Sequence, residues 1–161
     1  PPLSQGINRP KPSLHKDLPQ VAADYDITII DGAPRVTDLG RAAIAASDMI
    51  VIPVQPSPFD VWATDEIVKL IQEAQQFKEN LKAVFAVNRK IVNTAIGRDV
   101  ADAFAEAPFP VLPTALHQRV LYAESAAQGL TVVEVAPNGE AAREIAHLAQ
   151  AIVDNKERKA A

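Results

Sequence analysis

Asp31 ends the run Ile27-Thr28-Ile29-Ile30 and is followed by Gly32-Ala33-Pro34, so an apolar stretch delivers a carboxylate to a turn. A carboxylate so placed can hold Mg²⁺, usually through a water, because that ion takes oxygen ligands and keeps part of its hydration shell. Taken alone, the pattern more often marks nothing beyond a strand that ends on aspartate. A second group, Pro53-Val54-Gln55-Pro56-Ser57-Pro58-Phe59-Asp60, sets prolines between an apolar run and a long helical pattern. Proline fixes φ and removes an amide, so this connection keeps its shape beside a ligand or a partner, or serves only as a rigid turn. Third, Asn88-Arg89-Lys90 and Thr114-Ala115-Leu116-His117-Gln118-Arg119 each follow an apolar run. An amide and a guanidinium there can bond to or stack on a nucleobase, with Pro113 against its face; solvated polar loops account for them equally well. Arg89, Lys90, Arg98 and Arg119 can also form a local cationic patch for nucleic-acid phosphates, although scattered surface charge is the commoner outcome in an acidic protein. His15, His117 and His147 lie far apart and lack the spacing of a metal site. No Gly-x-Ser-x-Gly elbow is present.

The elements that must position these residues alternate. Residues 1–12, with Gly6 and several prolines, show no apolar period and read as an extended linker. Ser13 can cap a short helix through Leu14, Leu18 and Val21 that ends near Asp24, with Pro19 late in it. Residues 27–31 read as a strand buried on both faces, because they form a near-continuous β-branched run. Thr37 or Asp38 can cap a helix through Leu39, Ala43 and Ala46, and 49–54 read as a second buried strand. Asp60 can cap a long helix whose apolar positions Ile67, Leu70, Ile71, Ala74 and Phe77 recur at helical spacing. A third strand, 83–87, is followed by a helix over about 96–107, a short strand at 110–113, and a helix over about 119–128. Gly129 closes that helix as the residue after its cap. Residues 131–134 read as a last extended piece, and 140–154 as an amphipathic packing helix with Ala141, Ile145, Leu148, Ala149 and Ile152 on one face.

Strands alternating with helices imply an α/β fold, a mostly parallel doubly wound sheet with helices on both faces. Crossover handedness gathers the carboxyl ends of the strands on one edge, where ligands of such sheets bind. The expected organisation is one α/β domain over 13–161. Its 161 residues, 48% hydrophobic and 22% charged, fit a single globular body rather than a disordered or collagenous chain. The absence of cysteine excludes disulfides, Cys-ligated zinc and iron–sulfur clusters and is compatible with a reducing cytosol. A net charge of −4 argues against a whole-protein footprint for nucleic acid. No apolar run approaches a membrane span and no signal-peptide core is present, so a cytoplasmic protein is expected. The C-terminal helix is too rich in alanine and too mixed in charge to seek a membrane surface.

Taken together, the stretches 25–34, 48–60 and 114–125, with Arg119, Tyr122 and Ser125 in the last, resemble the ParA family of deviant Walker-type partition ATPases, and its small plasmid members most. The resemblance runs from about Leu14 to the C-terminus and rests on the order and spacing of the three stretches. It implies a P-loop NTPase-like fold and ATP-driven segregation of plasmid or chromosomal DNA by a nucleotide-driven homodimer. That dimer would bind DNA without sequence preference, and a centromere-binding partner of the ParB type would stimulate hydrolysis; the protein would be cytoplasmic and nucleoid-associated. By position, Asp31 resembles the Walker B aspartate on the Mg²⁺ water. Asn88, Arg89, Pro113 and Thr114 resemble the adenine-side loops, while Arg119, Lys90 and Arg98 resemble the DNA-facing surface. Pro56, Ser57, Pro58 and Asp60 resemble the dimer-facing or switch loop. The family's glycine-rich lysine loop, which cradles the phosphates of ATP or ADP, has no match in residues 1–30. The chain also opens at Pro1, with Met49 as its only methionine. The expectation is therefore a C-terminal part lacking the first βαβ portion, unable to hydrolyse ATP alone and holding no nucleotide tightly, with a gap or unpaired edge in its sheet. The competing expectation is a regulatory paralogue that naturally lacks the loop and docks on a partner.

Overall fold

The structure is a computed structural model that describes residues 14–32, 37–57, 60, 63–92, 104 and 107–157. In chain order the described elements are α1 (Leu14–Ala22), α2 (Asp38–Ala46), β1 (Met49–Val54), α3 (Asp65–Gln75), β2 (Lys82–Val87), α4 (Val120–Ala127), α5 (Val132–Val135) and α6 (Glu140–Glu157). This is an α/β fold with a parallel sheet. Two compact units emerge. One holds the described residues up to Ile50 together with Glu66–Leu81; the other holds Val51–Asp65 and the described residues from Lys82 onward.

In the first unit α1 lies against α2. Thr37 starts α2 by accepting a hydrogen bond from the Gly40 amide at 3.3 Å, the use of a hydroxyl that an N-cap requires. The other end of α2 is satisfied by Lys78, whose Nζ donates to the carbonyls of Ser47 at 2.7 Å and Ala45 at 3.3 Å and sits 3.7 Å from Asp48. A cation at a helix C-terminus answers both the orphan carbonyls and the macrodipole. α3 buries Val68, Leu70 and Ile71.

In the second unit β2 is the central strand, and Ala83 to Val87 are all buried. β1 flanks it on one side, and residues 110–118 run parallel to it on the other through bridges Phe85–Val111 and Lys90–His117. The Phe85 ring packs at a tilt against Phe104 (centroids 5.1 Å apart) and Phe109 (6.1 Å). α5 lies against α4 and α6. The end of α6 is held by Lys82, whose Nζ donates to the carbonyls of Lys156 at 2.8 Å and Asn155 at 3.0 Å.

Gly129 is where a special backbone conformation was expected, and it has φ +71°. The Leu130 amide reaches the Ser125 carbonyl and the Gly129 amide that of Ala126, both at 3.0 Å, which is the Schellman closure of α4. An alanine side chain there would meet nothing within 4 Å, so the cost of Gly129→Ala is purely conformational. It should lower the unfolding free energy by about 1 kcal/mol, read from urea titration.

Several expectations need correction. Residues 27–30 belong to no strand, and Ile27 and Ile29 are 55% and 88% exposed. A β-branched run becomes a strand only where a neighbour takes its peptide groups, and no described residue pairs with this one. β1 is buried on one face only: Ile52 and Val54 are buried, while Val51 and Pro53 are exposed. Asp60 and Ala63 are helical and the long helix itself spans Asp65–Gln75, but Phe77 lies beyond its end, 91% exposed. The strand at 110–113 reduces to the single bridge at Val111. Residues 131–134 are not extended but open α5, because Thr131 and Glu134 form a reciprocal capping box. The linker 1–12 and most of the helix at 96–107 lie outside the described residues.

Candidate functional site

The second unit brings together the ends of its strands. β1 runs into Gln55-Pro56-Ser57, a tight path in which the Ser57 amide donates to the Gln55 carbonyl at 2.8 Å and the Asp60 amide to the Ser57 carbonyl at 3.1 Å. Pro56, Ser57 and Asp60 are half-buried there; Pro58 lies outside the described residues.

β2 runs into Asn88-Arg89-Lys90. In a parallel strand, successive residues send their peptide groups to opposite neighbours. Phe85 and Val87 bond toward 110–116, and the Asn88 amide bonds the other way, to the Val54 carbonyl at 2.7 Å. Arg89 has φ +54°, the left-handed region that a side-chain-bearing residue enters at a cost of about 1 kcal/mol. Its amide donates to Asn88 Oδ1 at 2.9 Å. The turn sends Lys90 back toward 116–118: its amide donates to the Leu116 carbonyl and its carbonyl accepts from the Gln118 amide, both at 3.0 Å.

The facing segment accommodates this by slipping one residue in register between the Val111 and His117 bridges. The slack falls at Pro113-Thr114-Ala115, where Pro113 has no amide to give. Pro113 is exposed and Thr114 half-buried, beside the strand end that carries Asn88 and Arg89. Asn88, Arg89, Lys90, Pro113 and Thr114 are thus collected on one edge, as the strand order requires.

Arg119 is engaged with carboxylates. Its Nη1 is 2.8 Å from Glu140, and its Nη2 donates to Glu144 at 2.6 Å. Glu144, on α6, also accepts from the His117 amide at 3.2 Å and pairs with His117 Nδ1 at 2.8 Å; the Tyr122 hydroxyl donates to it at 3.4 Å. Only 14% of its side chain is exposed. Burial pushes the Glu144 carboxyl up, but the hydrogen bonds from Arg119 and His117 outweigh it and bring it to about 2. The Glu144 hydrogen bond raises the Arg119 guanidinium, against the opposing effect of burial. Burial, then the neighbouring Glu144 charge, raise the Tyr122 phenol.

Asp31 belongs to the other unit, where it is exposed and follows the irregular 27–30 stretch. Arg98 lies outside the described residues. No group of three or more metal-ligating side chains occurs among the described residues, and among them no helix is long and apolar enough to cross a membrane. Sequence reasoning passed over Glu140 and Glu144. No local spacing marks them, since what makes them matter is the approach of α6 to residues 117–122.

A family model described as "AAA domain" matches residues 3–86. Maintenance of carboxysome distribution protein A of Halothiobacillus neapolitanus is 26% identical over 129 residues, covering 79% of this chain and 59% of that protein. The virulence plasmid ParA family protein pGP5-D of Chlamydia psittaci is 26% identical over 156 residues, covering 96% of this chain and 59% of that protein. Cell division protein PomZ of Myxococcus xanthus is 25% identical over 148 residues, covering 88% and 44%. The chain thus spans at most about three-fifths of the length of these relatives.

Proposed function

The chain belongs to the ParA/MinD superfamily of AAA-domain proteins, and on that premise we propose that it forms the body of an ATP-driven positioning protein. In this reading the full-length protein segregates plasmid or chromosomal DNA in the cytoplasm, on the nucleoid. It does so as a nucleotide-driven homodimer that binds DNA without sequence preference and answers to a centromere-binding partner of the ParB type. The observation that carries the reading is the set of relatives, one named for carboxysome distribution, one as a virulence plasmid ParA family protein and one for cell division.

The donor set fits one half of a nucleotide. Asn88, Arg89, Pro113 and Thr114 form the base side, a short edge with an amide, a guanidinium, a hydroxyl and an apolar ring face. Pro56, Ser57, Pro58 and Asp60 form the dimer-facing or switch loop. Lys90 and Arg98 serve the DNA-facing surface together with Arg119, where a phosphate would compete with Glu140 for Nη1. The phosphate and metal half does not fit: the one carboxylate this reading assigns to Mg²⁺, Asp31, is exposed, and residues 1–30 contain no glycine-rich lysine loop. No hydrolytic step is assigned to these residues alone. Residues 13–161 are read as one α/β domain incomplete at its N-terminal side, a reading supported by the exposure of Ile27 and Ile29 on a run that has strand character and no ladder partner among the described residues.

Two proteins test this: the 161-residue chain, and the chain extended through the in-frame codons upstream of Pro1. With Mg²⁺ and ATP, the first is expected to give no turnover and the second turnover that rises with DNA and the partner. Turnover by the 161-residue chain would refute the incomplete-domain reading. An extended chain that lacks a lysine loop and turns nothing over would replace the ATPase with the regulatory paralogue.

A further inference from the structure

The base-side edge contains two irregularities that a regular ladder would not tolerate, the left-handed Arg89 and the register slip at 113–115. Backbone of this kind persists only when its surroundings over-determine it. On the β2 side the path is held by the Asn88 amide on Val54 and the Asn88 side chain on Arg89. On the other side it is held by 116–118, through the Leu116 amide on Val87 at 2.9 Å and the two bonds to Lys90. Beyond the slip, that segment needs an anchor outside the sheet.

We propose that Glu144 is this anchor, a positioning residue on α6 whose carboxylate pins residues 117–119 and so sets the shape of the Asn88–Lys90 strand end. Its carboxylate meets both the backbone and the ring of His117 and takes Nε and Nη2 of Arg119. The contact is bidentate in both directions, which fixes orientation as well as distance. Glu140, two-thirds exposed, meets only the outer nitrogen of Arg119 and carries none of this load. The shape of the strand end follows from the contacts; its consequence for a nucleobase rests on the proposed function.

Amide exchange on the full chain, followed by NMR, tests the proposal in Glu144→Gln, which keeps the size and places an amide among donors. The Lys90, Leu116 and Gln118 amides should exchange roughly tenfold or more faster, while those of Phe85 and Leu112, bonded in the same ladder before the slip, keep their protection. Glu140→Gln should change neither set. A uniform rise in exchange, or none, would overturn the positioning role. Should Glu144→Gln not fold, Arg119→Lys, which keeps the charge and loses the fork, is held to the same pattern and the same failures. Adenosine titrated into the wild-type chain supplies the second arm. Shifts at the Arg89, Lys90 and Leu116 amides that weaken several-fold in Glu144→Gln support positioning of the base side. Shifts that do not weaken overturn it. If adenosine moves none of these amides in the wild type, the base-side assignment fails while the exchange pattern still decides the role of Glu144.

Discussion

Phe85→Ala should lower the unfolding free energy by about 3–5 kcal/mol, the range for emptying an aromatic site in a close-packed core. Phe85 is 1% exposed at the centre of β2, between the rings of Phe104 and Phe109. Truncation removes both tilted ring contacts and the burial of the ring itself. The surrounding strand cannot collapse into the gap, because β2 is hydrogen-bonded on both sides. Phe77→Ala provides the contrast. That ring is 91% exposed, and its removal should change stability by no more than about 0.5 kcal/mol. Urea titration of the two variants by far-UV circular dichroism checks both. Since a whole domain has only about 5–15 kcal/mol in hand, the Phe85 variant should unfold at a clearly lower urea concentration than the wild type. Equal midpoints for the two variants would contradict the core as described.

Acidification should expose the Glu144 cluster. The folded-state carboxyl is held at about 2, below the ordinary value of 4.5. The group therefore stabilises the fold fully above about pH 5, and the contribution is lost as pH falls through the folded value. A depression of this size is worth about 3 kcal/mol at most, of which about 2 kcal/mol should disappear between about pH 5 and about pH 2.5. Other carboxylates also protonate in that window, so the comparison is with Glu144→Gln. The variant should be less stable near neutrality and lose about 2 kcal/mol less across the same interval. Unfolding free energies by urea titration at the two pH values measure the difference. Parallel slopes for the two proteins would mean that Arg119 and His117 do not hold the carboxylate as described.

What the amino-acid sequence determines by itself is what nearest neighbours enforce. The helix capped by Thr37, the buried run 83–87 and the left-handed close at Gly129 follow from hydroxyl capping, β-branching on both faces and freedom from a Cβ. All three stand in the structure where pattern places them. The capping box of Thr131 and Glu134 is equally local, a threonine followed three residues later by a glutamate, and it makes a helix start of residues expected to be extended. Likewise, the placement of Asn88–Lys90 and Thr114 at one edge follows from strand order, since parallel strands share a direction.

Tertiary structure decided the remainder, because the same local pattern takes different fates with different neighbours. Residues 27–30 have the composition of a buried strand, yet strand formation is a property of a pair and nothing described pairs with them. Phe77 continues a helical apolar period, but its helix stops first at Gln75 and leaves the ring in solvent. Arg119 and Glu144 are separated by all of α4 and α5 and the start of α6. Only their packing turns a cation read as surface charge and a glutamate on a helix into one part-buried ion pair. Long-range electrostatics of this kind leaves no periodic trace in the chain, since a charge records its partner only after the backbone has brought the two within hydrogen-bonding distance.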